Sequence, residues 1–154
     1  MAADKITILY VDDEENNLFS FKATFRIKYQ VLVAISGEEA LKILATKKVH
    51  VIITDQRMPG MTGVDFLEKV LEEYPDPMRI LLTGYADMNA VVDAVNKGKI
   101  FHYLAKPWNE EELDMTINRA YEKYLERAQL KEMNEKLAGS NDQLEFMLRQ
   151  RLLS

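Results

Sequence analysis

The chain has 154 residues, with 20 Lys plus Arg against 25 Asp plus Glu for a net charge of −5, and 47% of it is hydrophobic. That length fits one domain with an appendage and excludes two large ones, while the apolar content supports a packed core over a disordered chain. There is no cysteine, which removes disulfide and thiolate chemistry; the acidic balance disfavours nucleic acid as a direct partner; and without a signal-peptide-like segment or an 18-residue apolar run the expectation is a cytoplasmic chain that does not meet the membrane.

Residues 6–11 are a short apolar run that predicts a first strand, and Leu18, Phe21 and Phe25 follow it at helical spacing. Residues 31–34 predict a second strand. Ser36 and Glu39 have capping-box spacing and open a helix through Ala40, Leu41 and Leu44. Residues 49–54, almost wholly apolar, predict a third strand. Thr62 and Asp65 then open a helix bearing Phe66, Leu67, Val70 and Leu71, which the prolines at 75 and 77 stop. Residues 79–83 predict a fourth strand, 87–97 a fourth helix closed by Gly98, and 101–104 a fifth strand. Five β/α repeats whose strands are apolar on both faces imply an α/β fold, a five-stranded parallel sheet, doubly wound and flavodoxin-like.

From Asn109 the pattern is helical and long, and the charge balance changes within it. Residues 1–118 hold 13 basic and 19 acidic side chains, residues 119–154 hold 7 and 6. Leu113, Ile117, Tyr121, Tyr124 and Ala128 trace one stripe. Leu130, Met133, Leu137, Leu144 and Met147 then keep seven-residue spacing in a shifted phase, with Ser140 at one core position. Gly139 weakens the helix, and Ser140 with Gln143 has the spacing of a new cap. The expectation is an extended C-terminal helical tail, regular to about residue 138, followed by a kink or a second short helix.

On an open parallel sheet, chemistry collects where strands end at their carboxyl edge. Asp12 and Asp13 follow the first strand, Asp55 ends the third, Thr83 ends the fourth, and Lys106 and Pro107 follow the fifth. Carboxylates gathered on one rim repel and raise one another's pKa, so the cluster implies a compensating cation. A hard divalent ion such as Mg²⁺ (or Mn²⁺) takes such oxygen ligands. With that charge drawn away by the ion and Lys106, one carboxylate can attack a phosphoryl group. Asp55 is the nucleophile candidate because it stands alone at a central strand end, while the adjacent Asp12 and Asp13 are better placed to hold metal. Thr83 can donate a hydrogen bond to one phosphoryl oxygen and Lys106 can pair with another. Taken singly, each has a plainer reading: acids after a strand cap the next helix, Thr83 is a turn residue, Lys106 a solvated charge. Their joint occurrence at four strand ends points to a site. His50 and His102 read as packed or edge histidines, and Trp108 as cover for the start of the last helix.

These residues resemble the receiver domain of bacterial two-component response regulators. The elements that carry the resemblance are Val11-Asp12-Asp13-Glu14, Thr54-Asp55-Gln56-Arg57-Met58-Pro59-Gly60-Met61, Leu82-Thr83-Gly84-Tyr85 and Ala105-Lys106-Pro107-Trp108. It covers residues 5 to about 125 and implies a receiver domain over 1–125 with a helical linker or coiled-coil tail over 126–154. It further implies that Asp12, Asp13, Asp55 and the backbone carbonyl of Arg57 hold Mg²⁺, that Asp55 accepts a phosphoryl group from a sensor histidine kinase, and that Thr83 and Lys106 contact that group. Thr83 and Tyr103 are then the switch pair, reshaping the face made by the fourth helix, fifth strand and fifth helix. Arg57 stands at a position that varies in the family, where its long cation alters access by a hydrolytic water. Gly84 leaves room for the phosphoryl group.

The alternative is an aspartyl-phosphate-forming phosphatase or phosphotransferase on a similar sheet. That chemistry needs a second carboxylate near the nucleophile, and Arg57 stands two residues after Asp55 instead. A purely structural interaction domain would have no use for Asp55, Thr83 and Lys106 together. The tail's stripe suggests a homodimer through a parallel helical pair, and sequences similar to this one often lead into a covalently linked output domain.

Overall fold

The computed structural model describes residues 5–84 and 87–153. Five strands, β1 (Thr7–Val11), β2 (Gln30–Ala34), β3 (Val51–Asp55), β4 (Met78–Thr83) and β5 (His102–Ala105), alternate with helices α1 (Glu15–Phe25), α2 (Gly37–Thr46), α3 (Gly63–Glu73), α4 (Met88–Asn96) and α5 (Glu110–Leu153). All strand pairs are parallel, in the order β2-β1-β3-β4-β5. This is the flavodoxin-like order, whose switch point lies between β1 and β3.

Alternate strand residues face opposite helix layers. Ile8, Tyr10, Ile53, Ile80 and Leu82 pack with Phe21 and Phe25 of α1 and Leu113, Ile117 and Ala120 of α5. Leu9, Val11, Ile52 and Leu81 pack with Leu44 of α2, Phe66, Leu67 and Val70 of α3, and Val91 of α4. Only the three central strands are buried along their whole length; the edge strands β2 and β5 expose part of theirs. The expectation of strands apolar on both faces therefore holds for the middle of the sheet alone, because an edge strand lacks a neighbour on one side.

The caps follow the sequence signals. Ser36 accepts from the Glu39 amide at 3.1 Å while Glu39 reaches back to the Ile35 amide at 3.2 Å. Thr62 accepts from the Asp65 amide at 3.2 Å. Gly98, at φ 73°, ends α4 with the paired bonds of a Schellman turn, Gly98 N–H to the Val95 carbonyl and Lys99 N–H to the Ala94 carbonyl, both 3.0 Å.

The last helix departs from expectation. No second helix begins at Gly139: α5 runs as one continuous helix of 44 residues, about 66 Å at 1.5 Å per residue. A glycine costs a helix interior roughly 1 kcal/mol, and the Leu, Lys, Glu, Met and Gln residues on either side are helix formers that outweigh one such cost. Among the described residues no helix is long and apolar enough to cross a membrane.

Candidate functional site

The carboxyl edge of the sheet gathers the acids. Suitable oxygens of Asp12, Asp13 and Asp55 all lie within 4.8 Å of one another, with Asp12 and Asp55 buried and Asp13 the most open of the three. Asp55 is the last residue of β3 and pairs with Leu82 of β4. Beyond the strand, the Gln56 N–H donates to Asp55 Oδ1 at 2.9 Å and Lys106 Nζ lies 2.6 Å from the same oxygen. Lys106 arrives there because its own N–H extends the β4-β5 ladder, donating to the Thr83 carbonyl at 2.9 Å. Burial pushes the Asp55 carboxyl above its ordinary range; Lys106 opposes that rise, Asp12 adds to it, and the Gln56 N–H opposes it.

Asp12 is fully buried and held by neutral donors. Tyr10 O–H and Asn17 Nδ2 donate to Oδ2 at 2.9 and 3.1 Å, and the Glu14 N–H donates to Oδ1 at 3.0 Å. The N-cap of α1 is Glu14, without a side-chain cap bond, so the Glu14 N–H ties Asp12 to the residue before the helix and does not make it a cap of the first turn. Burial, and then the neighbouring Asp12 charge, push the Tyr10 hydroxyl well above its ordinary pKa, which keeps it a donor.

Thr83 is fully buried, its hydroxyl donating to the Gly84 carbonyl at 3.2 Å. Tyr103 is half-buried on β5, opposite Leu81 and packed on the α2, α3 and α4 side. Arg57 turns outward, and its Nε lies 2.9 Å from Asp87 Oδ2 at the start of α4. Tyr85, the last residue of the Leu82-Thr83-Gly84-Tyr85 motif, lies outside the described residues. Of the bland candidates, His50 Nδ1 accepts the Thr7 N–H at 2.9 Å and its ring meets Tyr121 and Tyr124 edge-on. His102 is exposed on edge strand β5. Trp108 packs on Phe21 and Phe25 of α1.

Three residues that shape the site escaped the sequence reading. Tyr10 and Asn17 position Asp12; the signal was a polar-tipped aromatic two residues before the acid, the spacing that puts both on one side of a strand. Gly63 is the third: a Cβ there would come within 2.3 Å of the Asp55 carbonyl oxygen, so only glycine lets α3 start this close to the end of β3.

The donor set suits a hard divalent cation. Three carboxylates lie together and Lys106 pairs with one of them, Asp55, so negative charge is left over, and each acid offers an oxygen ligand. This is the class of doubly wound parallel domains that carry an acidic rim at the switch point of the sheet. Within that class the match is specific, since the family model of the response regulator receiver domain covers residues 8–118. The chain belongs to the response regulator receiver family, the phosphorylation-activated module of two-component signalling.

A relative, the hydrogenase transcriptional regulatory protein HoxA of Cupriavidus necator, is 38% identical over 122 residues, 79% of this chain and 25% of its own length. The chain spans about a quarter of the length of the curated relatives it matches first. Among solved structures, an adenylate cyclase from Rhodopirellula baltica superposes with a TM-score of 0.83 at 30% identity, over 87% of this chain and 99% of that one. The signal receiver domain of an HD domain-containing protein from Pseudomonas fluorescens Pf-5 does so at 0.77 and 31%, over 84% and 96%.

Proposed function

We propose that Asp55 is the phosphoacceptor of this receiver, charged by a sensor histidine kinase. A carboxylate oxygen of Asp55 attacks phosphorus, the bond from phosphorus to the kinase histidine breaks, and the product is an aspartyl phosphate. The observation that carries this reading is the Lys106 ammonium 2.6 Å from Asp55 Oδ1, in a buried site that already raises the energy of the free carboxylate. Lys106 then pairs with a phosphoryl oxygen, and Thr83 turns its hydroxyl from the Gly84 carbonyl to another. Asp12, Asp13, Asp55 and the Arg57 backbone carbonyl form the proposed Mg²⁺ (or Mn²⁺) site. That ion, when bound, offsets charge on the transferred group. Half-buried Tyr103 is the aromatic partner of Thr83 in the switch.

In the same reading residues 1–125 are the receiver unit and 126–154 a helical tail that pairs two copies in parallel and connects to an output domain. Support for the pairing is the exposed stripe of Leu130, Met133, Leu137, Leu144 and Met147. The deciding experiment is intact-mass measurement after incubation with a small acyl phosphate and Mg²⁺. One added phosphoryl group is expected in the wild type and none in Asp55→Asn or in excess chelator. Undiminished labelling of the mutant refutes the assignment.

A further inference from the structure

Asp12 does not offer both its oxygens equally. A carboxylate oxygen has two lone pairs, and those of Oδ2 are matched by two donors, the Tyr10 hydroxyl at 2.9 Å and the Asn17 amide at 3.1 Å. Oδ1 takes one bond, from the Glu14 N–H at 3.0 Å, and keeps one lone pair. Tyr10 cannot turn its hydroxyl elsewhere. The residue is 1% exposed, and its ring stacks on Phe21 with centroids 4.1 Å apart and planes 7° from parallel. A phenylalanine would fill that stack equally well, so the hydroxyl is not explained by packing. Buried polar groups of this kind are costly unless their hydrogen bond is made, and the bond made here goes to the one fully buried acid of the rim.

We propose that Tyr10, assisted by Asn17, determines which divalent cation the rim selects, by occupying Asp12 Oδ2 so that Asp12 can give a cation only one oxygen. Mg²⁺ takes six ligands in a tight octahedron, whereas Ca²⁺ takes six to eight and accepts carboxylates through both oxygens. A carboxylate restricted to one oxygen therefore favours the smaller ion. The inference rests on the reading of Asp12, Asp13 and Asp55 as a cation site and deepens it.

The test is calorimetric titration of the full chain with MgCl₂ and separately with CaCl₂, for the wild type, Asp13→Ala, Tyr10→Phe and Asn17→Ala, with thermal melts of each in chelator. Residues that orient a metal ligand typically change affinity by 10- to 100-fold when removed. The preference for Mg²⁺ over Ca²⁺ is thus expected to fall by about tenfold in Tyr10→Phe, and in the same direction by less in Asn17→Ala, with the fold intact. A merely structural tyrosine would lower the melting temperature and leave that ratio alone. An unchanged ratio in both variants overturns the proposal while Mg²⁺ binding by the wild type, weakened in Asp13→Ala, upholds the site. A wild type that takes up neither ion overturns the site reading and the proposal with it. Should Tyr10→Phe fail to fold, Asn17→Ala, altered at the half-buried first turn of α1, decides alone.

Discussion

Asp55 sits under opposed influences, burial and Asp12 raising its pKa, Lys106 and the Gln56 N–H lowering it, with burial the largest. Its folded-state pKa therefore lies above the unfolded one. A carboxyl shifted this way adds stability while protonated, and that contribution is lost as pH rises through the folded pKa. In chelator at neutral pH, Asp55→Asn should consequently melt higher than the wild type, and the gap should narrow as pH falls into the carboxylate range. Paired melting curves from neutral to acid pH check this; a mutant that melts lower at neutral pH would show that the Lys106 pair outweighs burial. Asp13 raises a separate question, because it is the most open of the three acids. Asp13→Ala should weaken Mg²⁺ binding about tenfold or more by calorimetry, since it removes one of few carboxylates able to neutralise the ion. An unchanged affinity would leave Asp13 without a role at the rim.

At the scale of elements, the β3-to-α3 junction is the tightest point of the site. Gly63 N–H donates to the Gln56 carbonyl at 3.0 Å, and the Gln56 side chain accepts the Val64 N–H at 2.9 Å, which ties the first turn of α3 to the residue after Asp55. Gly63→Ala puts a Cβ against the Asp55 carbonyl. Overpacking of this kind costs typically 1–3 kcal/mol, and here the displaced group is the backbone of Asp55, the proposed acceptor. The variant should lose stability in urea and also label more slowly with acyl phosphate. A change in stability without a change in labelling would separate the junction from the chemistry. Gly139 gives the contrasting case, since nothing lies within 4 Å of a Cβ built there. Gly139→Ala should raise helicity by circular dichroism and stabilise the tail by roughly 0.5–1 kcal/mol.

For the whole molecule, the two stripes of α5 face different ways. At 100° per residue, Leu137 lies about 200° around the helix from Ile117, which is buried against the sheet. The tail's apolar stripe thus lies on the side of the helix opposite the residues that pack on the sheet. With Leu130, Leu137 and Leu144 at one core position and Met133, Ser140 and Met147 at the other, the flanking positions hold Gln129, Asn134, Asn141, Gln143 and Leu148, with Lys136 the single charge. A seam bordered mostly by neutral groups gives association little dependence on salt. The proposed dimer should accordingly sediment alike at low and high ionic strength, shift to monomer when truncated after residue 125, and tighten in Ser140→Leu. A monomer at high concentration with and without a phosphoryl mimic excludes the pairing.

How much of this was legible beforehand follows from the range of the interactions. Short apolar runs, helical periodicity and caps such as Ser36 and Thr62 are local, and they sufficed for the five β/α repeats. Once those repeats are parallel, every strand ends on the same edge, so Asp12, Asp13, Asp55, Thr83 and Lys106 had to share a rim. Their roles in family chemistry rest on that placement and on the resemblance. The reading of Asp55 as the lone carboxylate opposite Lys106 agrees with the structure, where the order β2-β1-β3-β4-β5 brings the ends of β3 and β5 to either side of β4. The hold of Tyr10 and Asn17 on Asp12, the clearance at Gly63 and the exposure of edge strands β2 and β5 were not legible. These are decided by packing between segments distant in sequence, where distances of a few tenths of an ångström and the presence or absence of a neighbouring strand settle the outcome. The continuity of α5 past Gly139 has a different reason: a single glycine is a local signal, whereas helix continuity depends on the summed preference of the residues around it.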